Sequence, residues 1–195
     1  MIRKCRCLPL VLLMGGLLIC PVFAASSFPD VTGYEEFTEA VSYVSEAGIM
    51  VGDNNGNFNP YKTVTRAEMA TIVCRMLNED RDLETSTQFT DVPVGHWANK
   101  YISKAASLSI VNGYGGGKFG PSDSVTYEQA VTMIIRAIGG NEVAIEYGGY
   151  PDGYILVAEE NALLDRINAK KSEPLSRSDI AQILYNYHIL SSSVD

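Results

Sequence analysis

Shifted by 61 residues, the chain matches itself without a gap. Phe28, Asp30 and Val31 fall on Phe89, Asp91 and Val92, and Ile49 and Gly52 fall on Ile110 and Gly113. Gly56, Phe58 and Pro60 fall on Gly117, Phe119 and Pro121; Val64, Thr65, Thr71 and Arg75 fall on Val125, Thr126, Thr132 and Arg136. Turn residues agree as well as apolar ones, which marks a true internal repeat. A repeat unit of this length cannot bury its hydrophobic face alone, so copies must pack on one another.

Each copy carries a helix-start signal. Thr65-Arg66-Ala67-Glu68 is a capping box: the Thr65 hydroxyl can accept the third helical N–H while the Glu68 carboxylate reaches back to the cap N–H. The device recurs at Thr126 to Gln129 and at Ser176 to Asp179, so three units are expected. Within the first, Phe37, Ala40, Val41 and Val44 fall at helical spacing, and Met69, Ile72, Val73, Met76 and Leu77 form the apolar face behind the capping box. Between them, Asp53 to Tyr61 is turn chemistry, in which Phe58 reads as a plug on the core. The second copy repeats this with Trp97, Tyr101, Ile102 and Ala105, then Val131, Ile134, Ile135 and Ile138. The third is shorter and divergent: Tyr150 to Tyr154 replaces the opening motif, Ile155, Ala158 and Ala162 mark one helix, and Ile180, Ile183, Leu184 and Tyr187 the other. Asn78 to Gln88 and the glycine-rich Gly139 to Gly149 read as linkers. The fold class is therefore all-α, with three helix-loop-helix units at 28–86, 87–140 and 147–190 packed as one body.

Residues 1–24 read differently. Arg3, Lys4 and Arg6 precede the apolar run Leu8 to Cys20, and small residues follow at Val22-Phe23-Ala24. This is the pattern of a secretory signal cleaved after Ala24 or Ala25, and its apolar run is short for a membrane span. Lipoprotein processing at Cys20 would need a small residue where Ile19 stands. The leader holds three of the 15 basic residues and three of the four cysteines, leaving a mature net charge of −11 and Cys74 alone. An exported chain with one cysteine forms no internal disulfide, and Cys74 sits in an apolar helical pattern. The acidic balance argues against nucleic acid and against nonspecific adsorption to anionic membranes.

Catalytic and metal chemistry find no footing. Gly113 to Lys118 lacks the first glycine of a phosphate loop, and Phe119 replaces its Ser/Thr. Asp53 to Asn57 places glycine fourth instead of sixth for a calcium loop, with Val64 where the bidentate Glu belongs. His96 and His188 have neither ligand spacing nor a paired nucleophile. No cofactor, metal or catalytic residue is expected.

Phe-x-Asp-Val, Trp-Ala, Gly-x-Phe-x-Pro and Thr-Arg-Ala-Glu together resemble the S-layer homology (SLH) domain, over about Phe28 to Leu190. The resemblance implies a pseudo-threefold trimer of repeats around a central three-helix bundle. It also implies a secreted, non-catalytic module of the cell wall and cell surface. Such a module would bind secondary cell-wall polysaccharide, often pyruvylated, in grooves between repeats. Carried over by position, the ligand-binding residues are Arg66, Arg177, Trp97, Asp30 and Asp91. An arginine fork can grip a ketal carboxylate, a Trp face can pack on a sugar ring, and Asp can accept from hydroxyls. Each has a plainer reading: Arg66 as a solvated surface arginine, Trp97 as buried area at a helix start, and Asp30 and Asp91 as helix-start caps.

Glu36 occupies the tryptophan position of the first copy and Tyr127 the arginine position of the second, while the third lacks the Asp-Val opening and the tryptophan. Three equivalent grooves are therefore not expected. The alternative is a structural module with degenerate grooves and a surface protein partner. Arg75 and Arg136, equal under the shift, read as helix-end complements to the dipole.

Overall fold

The computed structural model describes residues 28–34, 36–81, 83–84 and 88–192. The expected signal segment lies outside them. The described residues form seven helices: α1 (Thr38–Glu46), α2 (Arg66–Met76), α3 (Asn99–Ser107), α4 (Tyr127–Ala137), α5 (Asn141–Glu146), α6 (Asp152–Glu160) and α7 (Arg177–Ser192). Among them are no strands, only isolated bridges, three near the helix starts and one, Gly115–Lys118, within a loop, and no helix is long and apolar enough to cross a membrane.

The capping boxes start the long helices as expected. At α2, Thr65 Oγ1 accepts from Glu68 N (3.2 Å) and Glu68 Oε2 from Thr65 N (2.8 Å). At α7, Ser176 and Asp179 make the same exchange. At α4 the box is looser: Gln129 Oε1 accepts from Thr126 N at 3.4 Å. The amide carries no full charge with which to draw the cap tight.

The helices pair across unit boundaries. α3 packs on α2, α6 on α4, and α1 on α7, so the first helix of each unit rests on the second helix of the preceding one. The chain closes through α1 and α7. At the centre, three backbone hydrogen bonds form a cycle: Val125 N donates to Val64 O (2.8 Å), Leu175 N to Val125 O (3.2 Å), and Val64 N to Leu175 O (3.0 Å). A second cycle lies outside it, with Arg66 N donating to Asp123 O, Tyr127 N to Glu173 O and Arg177 N to Lys62 O. The first N–H groups of a helix have no intrahelical acceptor, and here each is met by the loop of the next unit.

Val64, Val125 and Leu175 are fully buried, as are Phe58 and Phe119, the expected loop plugs. Phe58 packs on Phe28 and Phe119 on Phe89, with ring centroids 5.5 and 5.3 Å apart. Gly52 and Gly113 complete these loops, because a Cβ at either would strike the Phe28 or Phe89 ring and a loop carbonyl. Asp53 N and Tyr114 N then close the loops onto Asn57 O and Lys118 O, each at 2.8 Å.

The Gly139–Gly149 segment is more than a linker. It contains α5, anchored by buried Ala144 against the backbone at Gly153, where any side chain would collide.

Candidate functional site

Arg66 opens α2 yet lies almost entirely inside, with 5% of its surface exposed. Its guanidinium crosses to the second unit, where Nε donates to Phe119 O (2.9 Å) and Nη2 to Asn112 O (2.8 Å), while Nη1 approaches Gln129 Oε1 at 3.4 Å. It lies over the Tyr114 and Phe119 rings at 4.4 and 4.6 Å. The reading of Arg66 as a solvated surface arginine is corrected: its partners are backbone carbonyls of the neighbouring unit. Burial is the main influence on its pKa and lowers it, with Tyr114, Asp123, Tyr150 and Asp91 opposing.

Arg177 repeats the arrangement one unit back around the cycle. Nε donates to Phe58 O and Nη2 to Val51 O, both at 2.7 Å, with the guanidinium 4.4 Å over the Phe58 ring. Phe58 and Val51 are the residues equivalent to Phe119 and Asn112. Among the described residues the ion pairs are Lys62–Glu68, Lys104–Glu79 and Lys171–Asp152, so neither arginine has a carboxylate partner. A guanidinium has five donors, and both retain capacity toward the grooves they border.

Asp30 and Asp91 take a role neither expectation named. Asp30 accepts from Phe58 N (2.9 Å) and Asn59 N (2.6 Å), and Asp91 from Phe119 N (2.9 Å) and Gly120 N (2.9 Å). They tie down the loops whose carbonyls the arginines grip. Neither borders the two grooves described below.

The first groove, about 350 Å³, has Arg66, Tyr114, Gln129, Arg136 and Tyr150 around a floor that includes Thr132. The second, about 220 Å³, has Arg177, Trp97, Glu68 and Arg75 around a floor that includes Thr71. The correspondence is residue by residue: Arg136 for Arg75, Gln129 for Glu68, Thr132 for Thr71. Each groove draws on all three units, because the turn leading into α3 brings Trp97 to α2 and the turn leading into α6 brings Tyr150 to α4. Trp97 is 60% exposed, which excludes core burial and leaves its indole face on the groove wall. Tyr150 stands at the matching place in the first groove, 55% exposed. Its hydroxyl pKa is pushed up, first by burial and then by Glu128.

Arg75 and Arg136 stand in the last turns of α2 and α4, as the helix-end reading places them, and they also line the grooves, which inspection of the sequence missed. Their equal positions under the 61-residue shift were the available signal. Arg136 Nε approaches Tyr154 Oη at 3.3 Å, and that hydroxyl donates to Asn141 Oδ1 at 2.6 Å.

The third seam, between α7 and its neighbours, carries different groups at the matching positions. Glu36 stands for the tryptophan, buried Tyr127 for the signature arginine, and Asn186 for Arg75. Asn186 Nδ2 donates to Leu163 O and Asp165 O, at 3.0 and 2.9 Å.

No group of three or more His, Cys, Asp or Glu residues that could hold a metal occurs among the described residues. Buried Cys74 has its thiol pushed up to about 11, mainly by burial.

Residues 27–70 and 88–131 match the S-layer homology domain, so the chain carries two such repeats. A cell surface protein of Thermoanaerobacter kivui is 33% identical over 167 residues, covering 83% of this chain and 21% of that protein. The middle cell wall protein of Brevibacillus brevis is 31% identical over 178 residues, covering 88% and 17%. A cellulosome-anchoring protein of Acetivibrio thermocellus is 30% identical over 135 residues, covering 66% and 30%. The chain thus spans about a fifth of the length of the first two relatives.

Proposed function

We propose that this chain, which bears two S-layer homology repeats, is a secreted, non-catalytic anchoring module at the cell wall. It binds secondary cell-wall polysaccharide in the grooves between units. The observation that carries the reading is the pair of equivalent grooves, each with an exposed aromatic wall and an arginine, buried at Arg66 and half-buried at Arg177, that has no carboxylate partner among the described residues. The α6–α7 unit acts as a third repeat and closes a pseudo-threefold trimer; the two cycles of backbone bonds support this.

In each groove the arginine supplies positive charge to an acidic substituent such as a pyruvyl ketal. Trp97, or Tyr150, supplies the face on which a sugar ring stacks. Arg66, Arg177 and Trp97 are the ligand contacts. Asp30 and Asp91 act one step back, holding the loops that position the arginines. The names of the relatives, a cell surface protein, a cell wall protein and a cellulosome-anchoring protein, support surface localisation and a surface protein as cargo or partner.

The test is co-sedimentation of the full chain with purified sacculi before and after removal of their secondary polymers. Binding should follow the polymer. Equal recovery from stripped sacculi would remove the polysaccharide claim. A structural, protein-facing role has specific support only at the third seam, where Glu36, Tyr127 and Asn186 replace the groove's tryptophan and arginines.

A further inference from the structure

A second cavity adjoins the Arg66 groove at Tyr150. Three of the groove's wall residues, Asn112, Arg136 and Tyr150, also border this cavity of about 550 Å³. The far side of this annex comes from Asn141 and Ile145 of α5, Tyr154 of α6 and the end of α3. The described residues between α2 and α3 carry no helix, so α5 has no counterpart at that junction.

A connected line of polar groups crosses the boundary between the compartments. Asn141 accepts from the Tyr154 hydroxyl, which Arg136 Nε approaches in turn. Turned to satisfy its neighbours, the Asn112 amide accepts from Arg136 Nη1 and donates to Val111 O, each at 3.1 Å. The Arg136 guanidinium also lies 5.3 Å from the centre of the Tyr154 ring. Beside this line stand two exposed apolar surfaces, Ile145 at 59% and Tyr150 at 55%. Hydrogen-bonding groups next to apolar faces, in a volume within the roughly 300–1,000 Å³ typical of ligand sites, suit a sugar ring.

A polymer adds a constraint that a free sugar does not. A residue seated in the Arg66 groove has a linked neighbour that must leave by an open path, and the annex adjoins the groove across three shared wall residues. We infer that the annex built by α5 is a second subsite, holding the neighbouring sugar of the glycan strand whose first residue sits in the Arg66 groove. This rests on the glycan-binding reading above. Linkage makes the second contact intramolecular, so it raises affinity through effective concentration.

The probes are a pyruvylated monosaccharide methyl glycoside and the di- and trisaccharide fragments of the wall polymer that contain it. Calorimetric titration of the full chain carrying Trp97→Ala confines the readout to the Arg66 side. The disaccharide should bind at least about tenfold tighter than the single residue. Ile145→Trp, which fills the annex from an exposed position outside the Arg66 groove, should abolish that gain and leave the single-residue affinity in place. Ile145→Ala, which opens the annex, should reduce the gain only partly, and it serves if the Trp variant has a lowered melting temperature. Equal affinity for one and two residues, or a gain untouched by Ile145→Trp, would overturn the annex and spare the groove. Failure of every probe to bind would overturn both.

Discussion

Replacing Arg66 by alanine tests whether the signature arginine is part of the frame as well as the site. The change removes the donors to Phe119 O and Asn112 O, which sit at 2.9 and 2.8 Å. Hydrogen bonds to a charged group contribute roughly 1.5–3 kcal/mol each. The stacking on Tyr114 and Phe119 adds about 0.5–1 kcal/mol. Water entering from the adjoining groove can satisfy one freed carbonyl, so the net loss should be about 3–4 kcal/mol. For a fold of this size that corresponds to a fall in Tm of roughly 10 °C. Thermal unfolding followed by circular dichroism is the assay. Arg66→Lys should recover less than half the loss, because one ammonium cannot span both carbonyls. Asp91→Ala should be less than additive with Arg66→Ala, since both act on the Phe119 loop. A Tm within about 2 °C of the parent for Arg66→Ala would refute the frame role and return Arg66 to the surface.

Trp97→Ala should behave oppositely: its side chain is exposed, so Tm should hold within about 2 °C while recovery on sacculi drops. A Tm loss matching that of Arg66→Ala would place the indole in the core. Burial, the largest single influence on Glu68, pushes its pKa up, but bonds from Thr65 and Lys62 outweigh it and leave the carboxyl below the usual range. A lowered folded pKa gives stability that is present above the unfolded value and lost as pH falls through the folded one. Glu68→Gln keeps the cap in the form seen at Gln129, so its urea midpoint should trail the parent at pH 7 and converge with it as pH falls through the folded value; a constant gap would refute the linkage. Cys74, buried and with its thiol pushed up to about 11, should resist a thiol reagent at pH 8 until denaturant is added. Labelling of the native protein at the rate of a free thiol would contradict its burial.

The parts legible in the sequence were those whose partners lie nearby in the chain. Capping boxes span three residues, and the apolar faces of α2 and α4 follow a local period, so both could be read directly. The burial of Arg66 could not. Its partners are the carbonyls of Phe119 and Asn112, 53 and 46 residues away, and a backbone carbonyl leaves no mark in composition. Asp30 and Asp91 misled for the same reason: an aspartate binding loop amides 28 and 29 residues on looks locally like a helix cap. The glycines flanking α5 disguised it, since they mark turns whether the segment between them is coil or a short helix. Trp97 gave its helix-start position correctly; only the packing of α3 on α2 decides which way the indole faces.

The α1·α7 contact carries one more consequence. Because the first and last helices pack on one another as the other two pairs do, the order in which the units are synthesised is separate from their order in space. A circular permutant that joins residue 192 to residue 28 through a flexible linker and opens between α2 and α3 would keep every helix pair and both cycles of backbone bonds. Its grooves would be made from the same side chains, now drawn from different places along the ribosomal product. The geometry of the grooves is thus a property of the closed circuit of helix pairs.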